Sequence, residues 1–90
     1  MSQKINVGID GINRRQDKDR EISQNIATLF GSVTGQAVLR YLRSITIEMV
    51  HGPNVTTEEL RHMEGQRYIV GLLENRINHA HNVKKDGTRS

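Results

Sequence analysis

Between Ile22 and Ala80 apolar residues recur every three or four positions, and Gly31-Ser32 and Gly52-Pro53 break the run. That period is one face of an α-helix, so two interruptions leave three helices. Ile22, Ile26, Leu29 and Phe30 define the first, over about residues 17–30, with Asp17, Asp19 and Glu21 in its opening turns, where the helix dipole favours negative charge. Gly31 is expected to end it in the left-handed conformation, and Ser32 to cap the next helix. So short a connection folds the two back as a hairpin. Val38, Leu42, Ile45 and Met49 continue the second helix over 33–50, in spite of the β-branched Ile45-Thr46-Ile47. The third has the clearest start. Thr56 and Glu59 have capping-box spacing, and Val55 and Leu60 that of a hydrophobic staple. Its stripe is Met63, Ile69, Val70, Leu73, Ile77 and Ala80, over about 57–80.

The two ends do not carry this period. Ile5, Val7 and Ile9 alternate with Asn6 and Gly8, the pattern of extended chain, before Gly8, Asp10, Gly11 and Asn13 punctuate it. Residues 1–16 are therefore expected to be an arm, either flexible or added as a strand to a neighbouring subunit's sheet edge. Residues 82–90 read as a basic tail. The predicted fold class is all-α: a small three-helix domain, 17–81, between an extended N-terminal arm and that tail.

Composition limits how well such a domain can close. The apolar fraction is 34%, and Phe30, Tyr41 and Tyr68 are its aromatic residues, so the core must be aliphatic. A domain of this size buries only about 60% of its unfolded surface. Without cysteine there is no disulfide staple, thiolate metal site or cysteine nucleophile, and oligomerisation or docking becomes a realistic way to finish burial. No apolar run approaches the roughly 18 residues of a membrane span, and the first residues do not resemble a signal peptide; a soluble chain retained in the cytosol is expected. One further apolar pair, Tyr68 and Leu72, lies round from the main stripe of the third helix beside Gly65. Either another helix of the chain crosses there, or Gly65, Tyr68 and Leu72 face a partner.

Tests for chemistry find little. His79 and His81 are two apart and diverge on a helix, while His51 and His62 lack a second ligand at i+3 or i+4, so surface histidines are expected and no metal or cofactor. Glu64 and Glu74 are ten residues apart with Arg neighbours, Arg67 standing at i+3 from Glu64, which suits solvated ion pairs better than acid–base work. The Gly8-Ile9-Asp10-Gly11 turn lacks the Lys-Ser/Thr of a phosphate loop. The expectation is a protein that is not an enzyme. Nucleic-acid binding is the rival: the net charge is +3, and residues 61–90 hold six basic against three acidic side chains. Arg40, Arg43, Lys84, Lys85 and Arg89 would then meet phosphates, although no dense basic face is evident.

Phe30-Gly31-Ser32-Val33-Thr34-Gly35, then Val38-Leu39 and Leu42, then Glu64-Gly65-Gln66-Arg67 resemble a family of small proteins encoded in tailed-phage (podovirus) genomes, typified by one from a short-tailed Bordetella phage. The resemblance covers roughly residues 29–80, and Gly35, Gly65 and Arg67 carry its pattern. The family often has Pro after the N-cap, where this chain has Val33. The resemblance implies a virion structural or assembly protein, at the head, portal, tail or among ejected proteins. Its partners would be other phage structural proteins in a homo- or hetero-oligomer. Its place would be the host cytoplasm during assembly and then the virion. The arm (Ile5, Val7, Ile9) and the Gly65–Tyr68–Leu72 face would be its docking surfaces. A small DNA-binding or packaging accessory protein is the alternative.

Overall fold

The computed structural model describes residues 5–87, with side chains followed to Asn82. The order is β1 (Ile5–Val7), β2 (Asn13–Arg15), α1 (Gln16–Phe30), α2 (Val33–Ser44) and α3 (Thr57–Gly87). Three helices in a small, mostly α-helical domain are as the apolar period requires.

Contacts between named residues give the topology. Asp19 meets Arg76 and Ser23 meets His79, so α1 and α3 run parallel. Arg43 meets Glu74 while Thr46, further on, meets Arg67, so α2 runs antiparallel to α3. The result is an up-down-up arrangement measuring 55 × 31 × 18 Å.

The α1–α2 corner depends on two glycines in different ways. Ser32 caps α2, its Oγ accepting from the Gly35 N–H at 2.9 Å. Gly31 is right-handed, not left-handed as expected, with φ −80°; what it supplies is room, since a Cβ there would lie 2.9 Å from the Ala27 carbonyl oxygen. Gly35 is buried, and a Cβ on it would come within 2.7 Å of Phe30 Cα. That close approach turns the line Gly35, Leu39, Leu42 and Thr46 inward and leaves Val38, Ile45 and Met49 of the expected stripe largely in solvent.

The second helix is shorter than its apolar period suggests. After Ser44 the backbone bonds become irregular: Thr46 N–H donates to the Arg43 carbonyl at 3.2 Å, and Glu48 N–H to the same oxygen at 3.0 Å. The Thr46 hydroxyl takes the Leu42 carbonyl at 2.6 Å. A β-branched run crowds a helix, and a hydroxyl that bonds back to i−4 competes with its ladder. Across from it, Arg67 donates to the carbonyls of Thr46 and Met49, both at 3.2 Å. Its predicted neighbour Glu64 is not its partner.

The third helix starts as expected. Glu59 N–H donates to Thr56 Oγ1 at 3.1 Å, and Thr56 N–H to Glu59 Oε2 at 3.4 Å. It runs to Gly87, beyond the predicted end near Ala80, because no glycine or proline intervenes after Gly71. The backbone of Lys84 and Lys85 is thus helical; their side chains, and Arg89 altogether, lie outside the described residues.

In place of a loose arm there is a hairpin. β1 pairs antiparallel with β2 in the register Ile5–Arg15, Asn6–Arg14, Val7–Asn13. Gly8 N–H donates to Ile12 O and Gly11 N–H to Gly8 O, each at 2.9 Å. Gly11 has φ +81°, which only glycine adopts freely. Ile5 and Val7 stay 69% exposed, so the hairpin adds little apolar burial.

The interior is correspondingly thin. Among the described residues the buried hydrophobic side chains are Val70 and Ala80. The buried polar ones are Asp19, Ser23, Thr46 and Arg76.

Candidate functional site

The largest fully buried side chain belongs to Arg76, 2% exposed, projecting from α3 beneath the hairpin. Its Nη1 donates to Asp19 Oδ1 at 2.6 Å, to the Asp19 carbonyl at 2.8 Å and to Ser23 Oγ at 3.1 Å. Its Nη2 stands 3.2 Å from Asp10 Oδ2 but is not aligned for a hydrogen bond. Asp10 belongs first to the hairpin. Its Oδ2 accepts from Arg14 Nη2 at 2.7 Å and Nε at 3.1 Å, and its Oδ1 from Ile12 N–H at 3.0 Å. Two carboxylates thus face two guanidinium groups, and the cluster is neutral, which is the condition for charge this deep.

The Arg14 guanidinium, with the Ile12 amide, holds the Asp10 carboxyl down to about 2, and Arg76 adds to the effect. Arg14 is raised by the same pairing.

Ser23 has no exposed surface. Its oxygen accepts from Arg76 and also shares a hydrogen bond of 2.7 Å with His79 Nδ1, whose direction depends on the imidazole tautomer. The pair has the residue types of an activated nucleophile, but a sealed hydroxyl cannot meet a substrate; here it joins α1 to α3. His79 is half-buried rather than a surface histidine, and His51 is half-buried too.

Between hairpin and helices lies a cleft of about 220 Å³, lined by Asn6, Gly8 and Ile9 on one side and Asp19, Arg20 and His79 on the other. Gly8 is where the hairpin backbone comes closest: a Cβ there would sit 2.6 Å from Asp19 Oδ1. The Tyr68 hydroxyl reaches the Asp10 carbonyl at 3.5 Å. Among the described residues no group of three His, Asp or Glu side chains converges as metal ligands do.

The predicted site residues fall into three places. Ile5, Val7 and Ile9 form the hairpin over the cluster, and Tyr68 lies beneath its turn. Leu72 is half-buried, whereas a Cβ on Gly65 would meet nothing within 4 Å, so no helix of this chain crosses at Gly65. Arg40 is exposed; Arg43 is bound to Glu48 at 3.1 Å and to Glu74 at 2.5 Å, and these carboxylates raise it.

Asp10, Asp19, Ser23, Arg76 and His79 were not singled out as a site by sequence reasoning. A signal existed in their phase. Arg76 lies at i+3 from Leu73 and i−4 from Ala80, and Asp19 at i−3 from Ile22 and i−7 from Ile26. Each is a charge standing in an apolar stripe, and opposite charges on two such stripes are candidates for a buried pair.

The arrangement is a small up-down-up three-helix domain pinned by a buried ion cluster, with Arg67 holding the α2–α3 connection. Residues 26–85 match the family of Bbp19-like phage proteins, and the chain belongs to that family. No significant match was found to a curated protein or to a solved structure. The matched segment contains Gly35, Arg67, Arg76 and His79 and begins after Ser23, so the hairpin and both carboxylates of the cluster lie outside it. No described helix is long and apolar enough to cross a membrane.

Proposed function

We propose that this phage protein is a non-enzymatic virion structural or assembly component that acts by docking to other proteins of the particle. The observation that carries it is the imbalance of apolar surface in a phage-family chain. Among the described residues two hydrophobic side chains are buried, while Val33 is 83% and Val50 92% exposed, with Leu29, Tyr41, Tyr68 and Ile69 also in solvent. Exposed hydrophobics on this scale, in a domain with so little interior, suit surfaces that partners cover. The hairpin and the Gly65–Tyr68–Leu72 face are the docking surfaces we favour, with other phage structural proteins or further copies of the chain as partners. The protein would be made in the host cytoplasm and retained in the particle at the head, portal, tail or among ejected proteins. The engagement of Arg43 with Glu48 and Glu74 takes one cation away from the DNA-binding alternative.

Mass spectrometry of purified particles tests this. The expected result is the chain present at a copy number matching a symmetric element such as the portal or tail. Its absence, or its presence with hairpin and face fully open to labelling in intact particles, would refute the docking reading.

A further inference from the structure

We propose that residues 5–15 are a preformed arm hinged at Arg15–Gln16, which swings off α3 as a unit and uncovers Arg76. This rests on the docking reading for its purpose, but not for its physics.

The arm is strongly bonded within itself. The Asp10–Arg14 pair at 2.7 Å, the Gly8–Ile12 and Gly11–Gly8 backbone bonds at 2.9 Å and the Ile12–Asp10 bond at 3.0 Å all lie inside it. Its ties to the body are weaker: Asp10 to Arg76 at 3.2 Å without alignment, and Tyr68 to Asp10 at 3.5 Å. A hydroxyl bond of that length is marginal. The cleft of about 220 Å³ lies along the same boundary, so hairpin and body do not pack against each other there.

The body is complete without the arm. When Asp10 leaves, Arg76 keeps Asp19 and Ser23 through Nη1, so the deep charge remains paired. The junction is also free to turn. Arg15 caps α1 with no side-chain hydrogen bond, in an extended conformation with φ −63° and ψ 140°. The Arg15–Asp17 pair that spans it at 2.8 Å is exposed, and such pairs hold weakly. Hinges of this kind sit at element termini.

Release frees Arg76 Nη2 and the Tyr68 hydroxyl beside the exposed Gly65, so undocking enlarges the face assigned to a partner. The docked arm then regulates that face from within the same chain.

The cysteine-free chain allows two unique spin labels, at Ile12→Cys on the arm and Glu64→Cys on α3, both exposed. Pulsed electron resonance should read two distances, docked and released. Gly8→Ala places a methyl 2.6 Å from Asp19 Oδ1 on the body, closer than its neighbours within the arm, Asp10 Oδ1 at 3.0 Å and Ile12 O at 3.1 Å, and it should lower the docked-to-released ratio on the order of ten-fold, as overpacking a close contact does. In that variant the Gly11 amide should remain protected from exchange, because the arm keeps its own bonds. A single narrow distance unchanged by Gly8→Ala would overturn the proposal. So would loss of Gly11 protection together with docking, which would mean that the arm unfolds instead of swinging. The measurement is made on free protein, so a negative result in particles would cost the docking reading and leave the hinge standing.

Discussion

Arg76 is the largest fully buried side chain of this domain, and its charge is tolerated there because it is paired with Asp19. Replacing it with methionine would leave the Asp19 carboxylate buried without its cation, and breaking such a pair costs about 3–5 kcal/mol. Against a total of roughly 5–15 kcal/mol that is a large fraction. Urea denaturation of Arg76→Met should show the loss, and the double variant Arg76→Met/Asp19→Leu should regain much of it, since removing both charges removes the desolvation cost as well. Equal losses in the two variants would mean that the ion pair is not the source.

Asp10 gives the acid behaviour of the hairpin. Its carboxyl is lowered from 3.8 to about 2 by Arg14 and the Ile12 amide. A depressed folded value stabilises above the unfolded value and is lost as pH falls through the folded one. The hairpin contribution should therefore be complete above about pH 4 and disappear toward pH 2. The amide resonances of Gly11 and Ile12, followed by NMR over that range, should report one transition there, and Asp10→Asn should abolish it. A transition near neutrality would identify another group.

At the scale of elements, the connection between α2 and α3 is held by a side chain rather than by a helix end. Arg67 bonds the Thr46 and Met49 carbonyls across the turn where α2 unwinds. Arg67→Met keeps the aliphatic stem and removes those bonds, which, for a charged donor, should cost about 1–3 kcal/mol. Hydrogen exchange should quicken at residues 45–49 before it changes in α1. Uniform quickening would point to global destabilisation instead. Gly35 permits the close α1–α2 approach and Arg67 fastens the turn, while Gly65 has open space around it.

For the whole molecule, an interior with two buried hydrophobic side chains among the described residues predicts that stability depends on company. If copies of the chain cover one another's apolar surface, the thermal midpoint should rise with protein concentration, because association draws the folded state by mass action. A midpoint independent of concentration, together with presence in the particle, would assign the covering role to a different phage protein.

Helix number, the Ser32 cap and the Thr56–Glu59 box were legible in the sequence because each depends on residues within one or two turns of each other. The phage family was legible too: the short runs that suggested it lie within the matched residues 26–85. Tertiary structure alone decided three further things: where α2 stops, which face of it is covered, and what lies at the centre of the domain. Arg67 stands 21 residues from Thr46, and Arg76 57 residues from Asp19. Local periodicity marks a residue as facing inward, but it carries no information about which distant charge awaits it there, and a buried ion is stable only once that partner is in place.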